Sequence, residues 1–157
     1  MAKTIQWLLD KYGESHRNAT NKLIHWICVP SIMISLLGLI YAIPFPVERT
    51  FLTNWAAVLL VLAMIYYFRL SIPLFLGFVL VGAGFLYVVH SIYLAVGAQP
   101  GKLAIASLII FVVAWIGQFI GHKIEGKKPS FLEDLQFLLI GPAWLLHFIY
   151  RKLGIPY

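Results

Sequence analysis

Polar residues are so sparse along this chain that they mark out its segments. Four apolar runs, Leu23–Ile43, Trp55–Leu70, Ile72–Val96 and Leu103–Ile120, are separated by short stretches rich in Pro, Gly, Thr and Asn. A helix needs about 20 apolar residues to cross the hydrocarbon of a bilayer. The first, third and fourth runs qualify. The second is shorter and ends at Arg69, whose side chain can reach an interface. "AIPFPVERTFLTN" divides the first two runs: Pro44 and Pro46 stop one helix, and Thr53 or Asn54 caps the next. "RLSIP" is a tight hairpin with Pro73 in the first turn of the following helix. Gly97, Pro100 and Gly101 break the chain between the third and fourth runs. Gly77, Gly82 and Gly84 in the third run favour close helix packing.

The flanks carry a different pattern. Ile5, Leu8, Leu9 and Tyr12 recur at i, i+3, i+4 and i+7, an amphipathic helix. After the fourth run, Ser130 with Glu133 has the form of a capping box, which predicts a helix start there. Gly141–Pro142 predicts a break or kink further on. The fold expected is therefore all-α, a polytopic membrane helical bundle of about four transmembrane helices. Amphipathic or re-entrant helices flank it at both ends, and residues 1–157 form one integral membrane domain.

Composition agrees: 61% of the 157 residues are hydrophobic and 11% charged, against about 45–50% and 25% in soluble domains. The net charge of +6 forms no basic patch interleaved with exposed aromatics, so nucleic acid is not an expected partner; membrane lipids are. With four spans, one side collects Lys3, Lys11, Arg17, Lys22, Arg69, Lys123, Lys127, Lys128, Arg151 and Lys152. The other keeps Arg49 and Lys102, a bias of ten to two. Positive residues stay inside, so both termini are expected in the cytoplasm. The membrane would be the inner one if the chain is bacterial and the endoplasmic reticulum if it is eukaryotic. The compact chain without a retention tail favours the former. The N-terminal stretch does not read as a signal peptide. Cys28 stands alone and supports neither an internal disulfide nor a thiolate zinc motif.

The candidate chemistry lies at the ends of the apolar runs. Trp115, Gln118, His122 and Glu125, at i, i+3, i+7 and i+10, share one helix face at the cytoplasmic end of the fourth run. At the cytoplasmic start of the first, Asn21 and His25 share another. His16 and His25, nine apart, are about half a turn out of phase on one straight helix. "RNATN" breaks the chain between them, with Thr20 or Asn21 as the cap of the next helix. His16, His25, His122 and Glu125 then converge at one membrane face, where His147 joins them from the C-terminal helix. Imidazoles with a carboxylate suit Fe, Zn, Cu or Ni, and two His with one carboxylate is a ligand set of non-haem Fe(II) oxygenases. Glu125 would be a ligand or orient one, with Asn21 and Gln118 as orienting or substrate contacts. Arg17, Lys22 and Lys123 suit an anionic, lipid-like substrate whose carboxylate they could hold, and Trp26 and Trp115 are candidate contacts for the rest of it. His90, about 27 Å along its helix from Ile72, is expected to be remote and structural.

Two stretches together resemble a known family. "YGESHRNATNKLIHWICVP" has its Tyr, His, Asn, Asn, His and Pro, and "WIGQFIGHKIEGKKPSFLEDL" its Gln, Gly-His, Glu and Pro. The family is that of the fungal endoplasmic-reticulum 2-hydroxy fatty acid dioxygenase, and the resemblance spans nearly the whole chain. It implies Fe(II)-dependent α-oxidation, in which a 2-hydroxy fatty acid reacts with O2 and loses one carbon. The family's histidines fall on His16, His25 and His122, with Glu125 following. Other classes fit the same residues. A metal-dependent lipid hydrolase would activate water instead, a bis-His haem protein would show a Soret band, and a transporter or scaffold would need no metal.

Overall fold

The computed structural model describes residues 3–132 and 135–157. The described residues form six α-helices and no strand: α1 (Ile5–Gly13), α2 (Ala19–Tyr41), α3 (Trp55–Leu70), α4 (Ile72–Ala95), α5 (Pro100–Glu125) and α6 (Phe137–Leu153), with a 3-10 turn at Ser130–Leu132. Three of them, α2, α4 and α5, are long and apolar enough to cross a membrane, whereas α3 has 16 residues. Helices α2 to α5 run alternately up and down. The start of α2, the end of α3, the start of α4 and the end of α5 therefore lie at one end of the bundle, with α1 and α6 packed there. Tyr41, Asn54 and Leu103 lie at the other.

Local chemistry sets the boundaries. Asn54 caps α3 by accepting from Ala57 N at 2.8 Å. Ser71 ends α3 and caps α4, accepting from Leu74 N. Gly126, with φ 75°, ends α5 in the left-handed conformation that glycine adopts without strain. Three expectations need correction. The cap of α2 is Asn18, not Thr20 or Asn21; its side chain accepts from Thr20 N and Asn21 N. Ser130 opens only a 3-10 turn, and the α-helix begins at Phe137; Glu133, the other half of the expected box, lies outside the described residues. Of the break or kink expected at Gly141–Pro142, the break is absent, because α6 continues through Pro142 to Leu153.

Helices α2 and α5 pack most closely. A Cβ at Gly117 would collide with Cys28 Sγ, and one at Gly121 with Asn21 Oδ1. This glycine pair, four apart, lets two backbones approach as small residues do in membranes. Of the α4 glycines, Gly77 sits tight against Tyr150 and Leu146, Gly82 is in ordinary contact with Leu60 and Met64, and Gly84 meets nothing. Two apolar cores result. One joins α1 and α6 to the near ends of the spans through Leu8, Tyr12, Phe78, Ile140 and Trp144. The other fills the far end around Leu37, Tyr41, Leu86 and Leu103. Tyr67 and Tyr150 tie the first core together, donating to the Leu139 and Pro73 carbonyls.

Candidate metal centre

The break between α1 and α2 turns the chain so that His16 faces back onto the first turns of α2. His25 comes from the second turn of α2, and His122 from the last turn of α5. One ring nitrogen from each of these three lies within 4.8 Å of the other two. All three residues are buried, His16 and His25 to 1% exposure. The rings pack edge to face, with centroids 4.1 Å apart for His16 and His25 and 5.0 Å from each to His122.

Hydrogen bonds decide which nitrogens are free. His16 Nδ1 lies 2.6 Å from the Tyr12 carbonyl oxygen, and His25 Nδ1 2.9 Å from that of Asn21. A carbonyl only accepts, so both Nδ1 atoms carry the proton, and in a neutral ring Nε2 is then a bare lone pair. Yet the two Nε2 atoms stand 2.8 Å apart. Two lone pairs at that distance repel unless a cation lies against both. A proton is a poor candidate at His16: burial first, then the neighbouring His25, pushes its pKa down to about 3. A metal ion suits the arrangement, because two nitrogens each ~2.1 Å from one ion at a right angle stand ~3 Å apart. His122 Nδ1 is also buried without a hydrogen-bond partner. The donor set therefore fits a divalent transition metal, and the carbonyl contacts fix ring tautomer and orientation as second partners of metal-bound histidines do.

Glu125 is not among the three. Its carboxylate accepts from Arg17 N at 2.9 Å, Asn18 N at 2.8 Å and Asn21 Nδ2 at 3.1 Å. Asn21 Nδ2 also donates to the Ser15 carbonyl. The carboxylate and this amide thus clamp the 15–18 turn that carries His16 to the end of α5 that carries His122. His147 also stands outside the group; its Nδ1 donates to the Trp144 carbonyl, and its ring packs on Phe148.

Two cavities reach the histidines. One, between α2, α5, the Pro129–Phe131 stretch and the start of α6, is lined by His25, His122, Gln118 and Trp115 together with apolar residues such as Val29 and Phe137. Trp115 Nε1 and Gln118 Oε1 are buried there with no partner, like His122 Nδ1. Three of the four residues expected to share a face on α5 therefore place unsatisfied polar atoms along one cavity, whereas Glu125 is bonded to Arg17, Asn18 and Asn21 instead. The other is a polar cleft lined by His16, His147, Arg17, Lys22 and Arg151. Lys123 is exposed and lines neither. Trp26 packs on Phe148 and lines a separate apolar groove. His90 is at the far end, bonded to Tyr41.

The sequence reading missed Tyr12 and the pair Ser15–Ser130. Tyr12 stacks on His16 at 4.2 Å. The two serine hydroxyls, 2.7 Å apart and both buried, fasten the 130 segment over the site. Tyr12 had registered as part of an apolar stripe and of the first family-like stretch but with no role at the site, and nothing in the sequence pairs two serines so far apart. The Gly117–Gly121 spacing was the readable signal for the α2–α5 contact.

A helical bundle with membrane-length helices and three convergent buried imidazoles defines a membrane protein with a candidate metal site. Residues 2–153 match the family model described as 2-hydroxy-palmitic acid dioxygenase Mpo1-like. The chain is 31% identical over 150 residues to the 2-hydroxy-palmitic acid dioxygenase MPO1 of Saccharomyces cerevisiae, covering 93% of this chain and 79% of that protein. No solved structure matches. The chain belongs to the Mpo1-like family, enzymes named as dioxygenases, in agreement with the resemblance carried by its two polar stretches.

Proposed function

We propose that this chain is a non-haem iron dioxygenase that shortens 2-hydroxy fatty acids by one carbon at the cytoplasmic face of a membrane. The observation that carries this is the convergence of unsatisfied atoms: two Nε2 lone pairs 2.8 Å apart, and three partnerless polar atoms, on Trp115, Gln118 and His122, along one cavity. The family of the chain and its relative's 2-hydroxy acid substrate support the same reading. One O2 per acid balances the change if the lost carbon leaves as CO2 and two hydrogens leave as water.

His16, His25 and His122 hold the iron, and Fe(II) supplies the activation of O2 and a chelating position for the hydroxy-acid head. Tyr12 and Asn21 keep both Nε2 atoms free of protons through their carbonyls. Glu125 and Asn21 hold the His16 turn in place. Trp115 N–H donates to the head group and the Gln118 carbonyl oxygen accepts from its hydroxyl. Arg17 and Lys22, at the mouth of the polar cleft, draw the carboxylate in, and Lys123 adds to the positive surface. His147 lines that cleft together with Arg151. Both termini are cytoplasmic, on the ten-to-two charge bias.

Purified protein loaded with iron should convert a long-chain 2-hydroxy fatty acid to the acid one carbon shorter while consuming O2. Chelation should stop the reaction and Fe(II) restore it. Undiminished turnover after the iron is stripped sinks the metal role. Iron-loaded protein that leaves every 2-hydroxy acid intact in air sinks the reaction.

A further inference from the structure

The histidine cavity does not end at the histidines. Met33, Leu138 and Pro142 line it and also line a second cavity of about 260 Å³ between α2, α3 and α4. That second space runs past Tyr67 and Phe78 to Leu60, Gly82 and Phe85. Its lining is apolar except for Tyr67, whose hydroxyl is already given to the Leu139 carbonyl. The two adjoining spaces, which share Met33, Leu138 and Pro142 in their walls, therefore differ in kind. The first holds unsatisfied polar atoms beside the imidazoles, and the second offers a ligand nothing but hydrocarbon.

Their shape selects an amphiphile with a small polar head and one unbranched tail. From His25 to Leu37, which lines the far part of the second cavity, α2 advances twelve residues, about 18 Å. A carbon–carbon bond of ~1.5 Å advances ~1.25 Å along an extended chain, so that depth takes on the order of fourteen carbons. Gly82 lines this second cavity and also a neighbouring one between α3 and α4. It is buried, and a Cβ there would meet Leu60 and Met64 at 3.5 and 3.8 Å. A larger side chain there would press on Leu60 and Met64, which line the second cavity. Phe85 borders the same region one turn deeper.

We propose that this second cavity holds the substrate's hydrocarbon tail, threaded between Met33 and Pro142, and that Gly82 and Phe85 set how long a tail fits. The inference rests on the 2-hydroxy fatty acid reading and supplies its chain-length determinant. Gly82→Leu shortens the channel, and Phe85→Ala lengthens it. Gly84→Leu is the matched control, because Gly84 is exposed on the same helix with no neighbour within 4 Å.

The test uses the full-length protein in lipid nanodiscs with a ladder of 2-hydroxy fatty acids and a long-chain 2-hydroxy acid carrying a diazirine at its tail end. Photolysis should label peptides around Leu60 and Gly82–Phe85, and unlabelled 2-hydroxy acid should compete the label away. Gly82→Leu should lower kcat/KM for long chains by ~10-fold while sparing short ones. Phe85→Ala should move the optimum to longer chains, which keeps the test decisive if Gly82→Leu does not fold. Gly84→Leu should leave the profile unchanged. An unaltered profile in both Gly82→Leu and Phe85→Ala overturns the channel while leaving the dioxygenase reading in place. So does label that phospholipid displaces as well as the hydroxy acid, which would make the occupant bilayer lipid. Site-directed labelling without turnover of any 2-hydroxy acid would uphold the channel and reject the dioxygenase reading.

Discussion

The two ends of the bundle both carry histidine, tyrosine and cationic side chains in an apolar setting, and they use them differently. At the far end His90 Nδ1 shares a 2.7 Å hydrogen bond with the Tyr41 hydroxyl. The Arg49 guanidinium lies over the rings of Tyr41 and Tyr93 at 5.7 and 5.5 Å and donates to the Ile43 carbonyl. Among the described residues there, only Arg49 Nε is left buried without a partner. At the near end three imidazoles face one another, their second nitrogens held by carbonyls or unpaired. A buried polar group is normally satisfied. Arg49 Nε apart, the far end obeys that rule within the protein and reads as structure. The near end leaves atoms of Asn21, Trp115, Gln118 and His122 buried without a partner, which is what a binding site would do. An imidazole in a hydrophobic segment is thus no sign of a site; several imidazoles turned toward each other are.

The comparison can be broken by substitution. His25→Ala or His122→Ala should remove iron and turnover together. The loss should exceed the ~10–100-fold typical of outer partners of a metal, and metal analysis beside an O2 electrode checks it. Glu125→Ala leaves two backbone N–H groups and the Asn21 amide without their acceptor. It should weaken iron retention by ~10–100-fold, with Glu125→Gln recovering part of that; a competitive chelator titration reads both. Trp115→Phe keeps the ring and deletes the N–H. If that group binds the substrate head, KM should rise a few-fold, the worth of one hydrogen bond at ~0.5–1.5 kcal/mol, with kcat little changed. His90→Ala should leave iron and kinetics alone and cost about 1 kcal/mol of stability for the lost Tyr41 contact, visible as a small fall in Tm. Iron loss in His90→Ala would erase the distinction between the two ends.

The spans were legible because apolar length and helix breakers are local signals. The expected limits of the second run coincide with α3, and those of the third fall one residue from α4. His16, His25 and His122 were legible as a group because helical phase and the break after His16 put them on facing surfaces. What the sequence did not disclose depends on contacts between distant segments. The carboxylate at Glu125 reads as a metal ligand by type; its bonds to Arg17 N and Asn18 N, more than a hundred residues earlier, make it a clamp. Asn21 has the residue type of a cap, but Asn18 three residues earlier takes that role and frees Asn21 to bridge Ser15 and Glu125. Pro142 carries a break signal, yet α6 is packed by Ile140, Ala143 and Trp144 into the near core, and tertiary burial overrides the local preference.

The central claim is that three histidines hold one iron. X-ray absorption at the iron edge on purified protein, paired with metal stoichiometry, tests it most directly. The account predicts about one iron per chain with imidazole scattering and nitrogen ligands at ~2.0–2.2 Å, by analogy with zinc–histidine sites, both lost in His25→Ala. An iron bound without imidazole scattering, or a spectrum unchanged in His25→Ala, would contradict it.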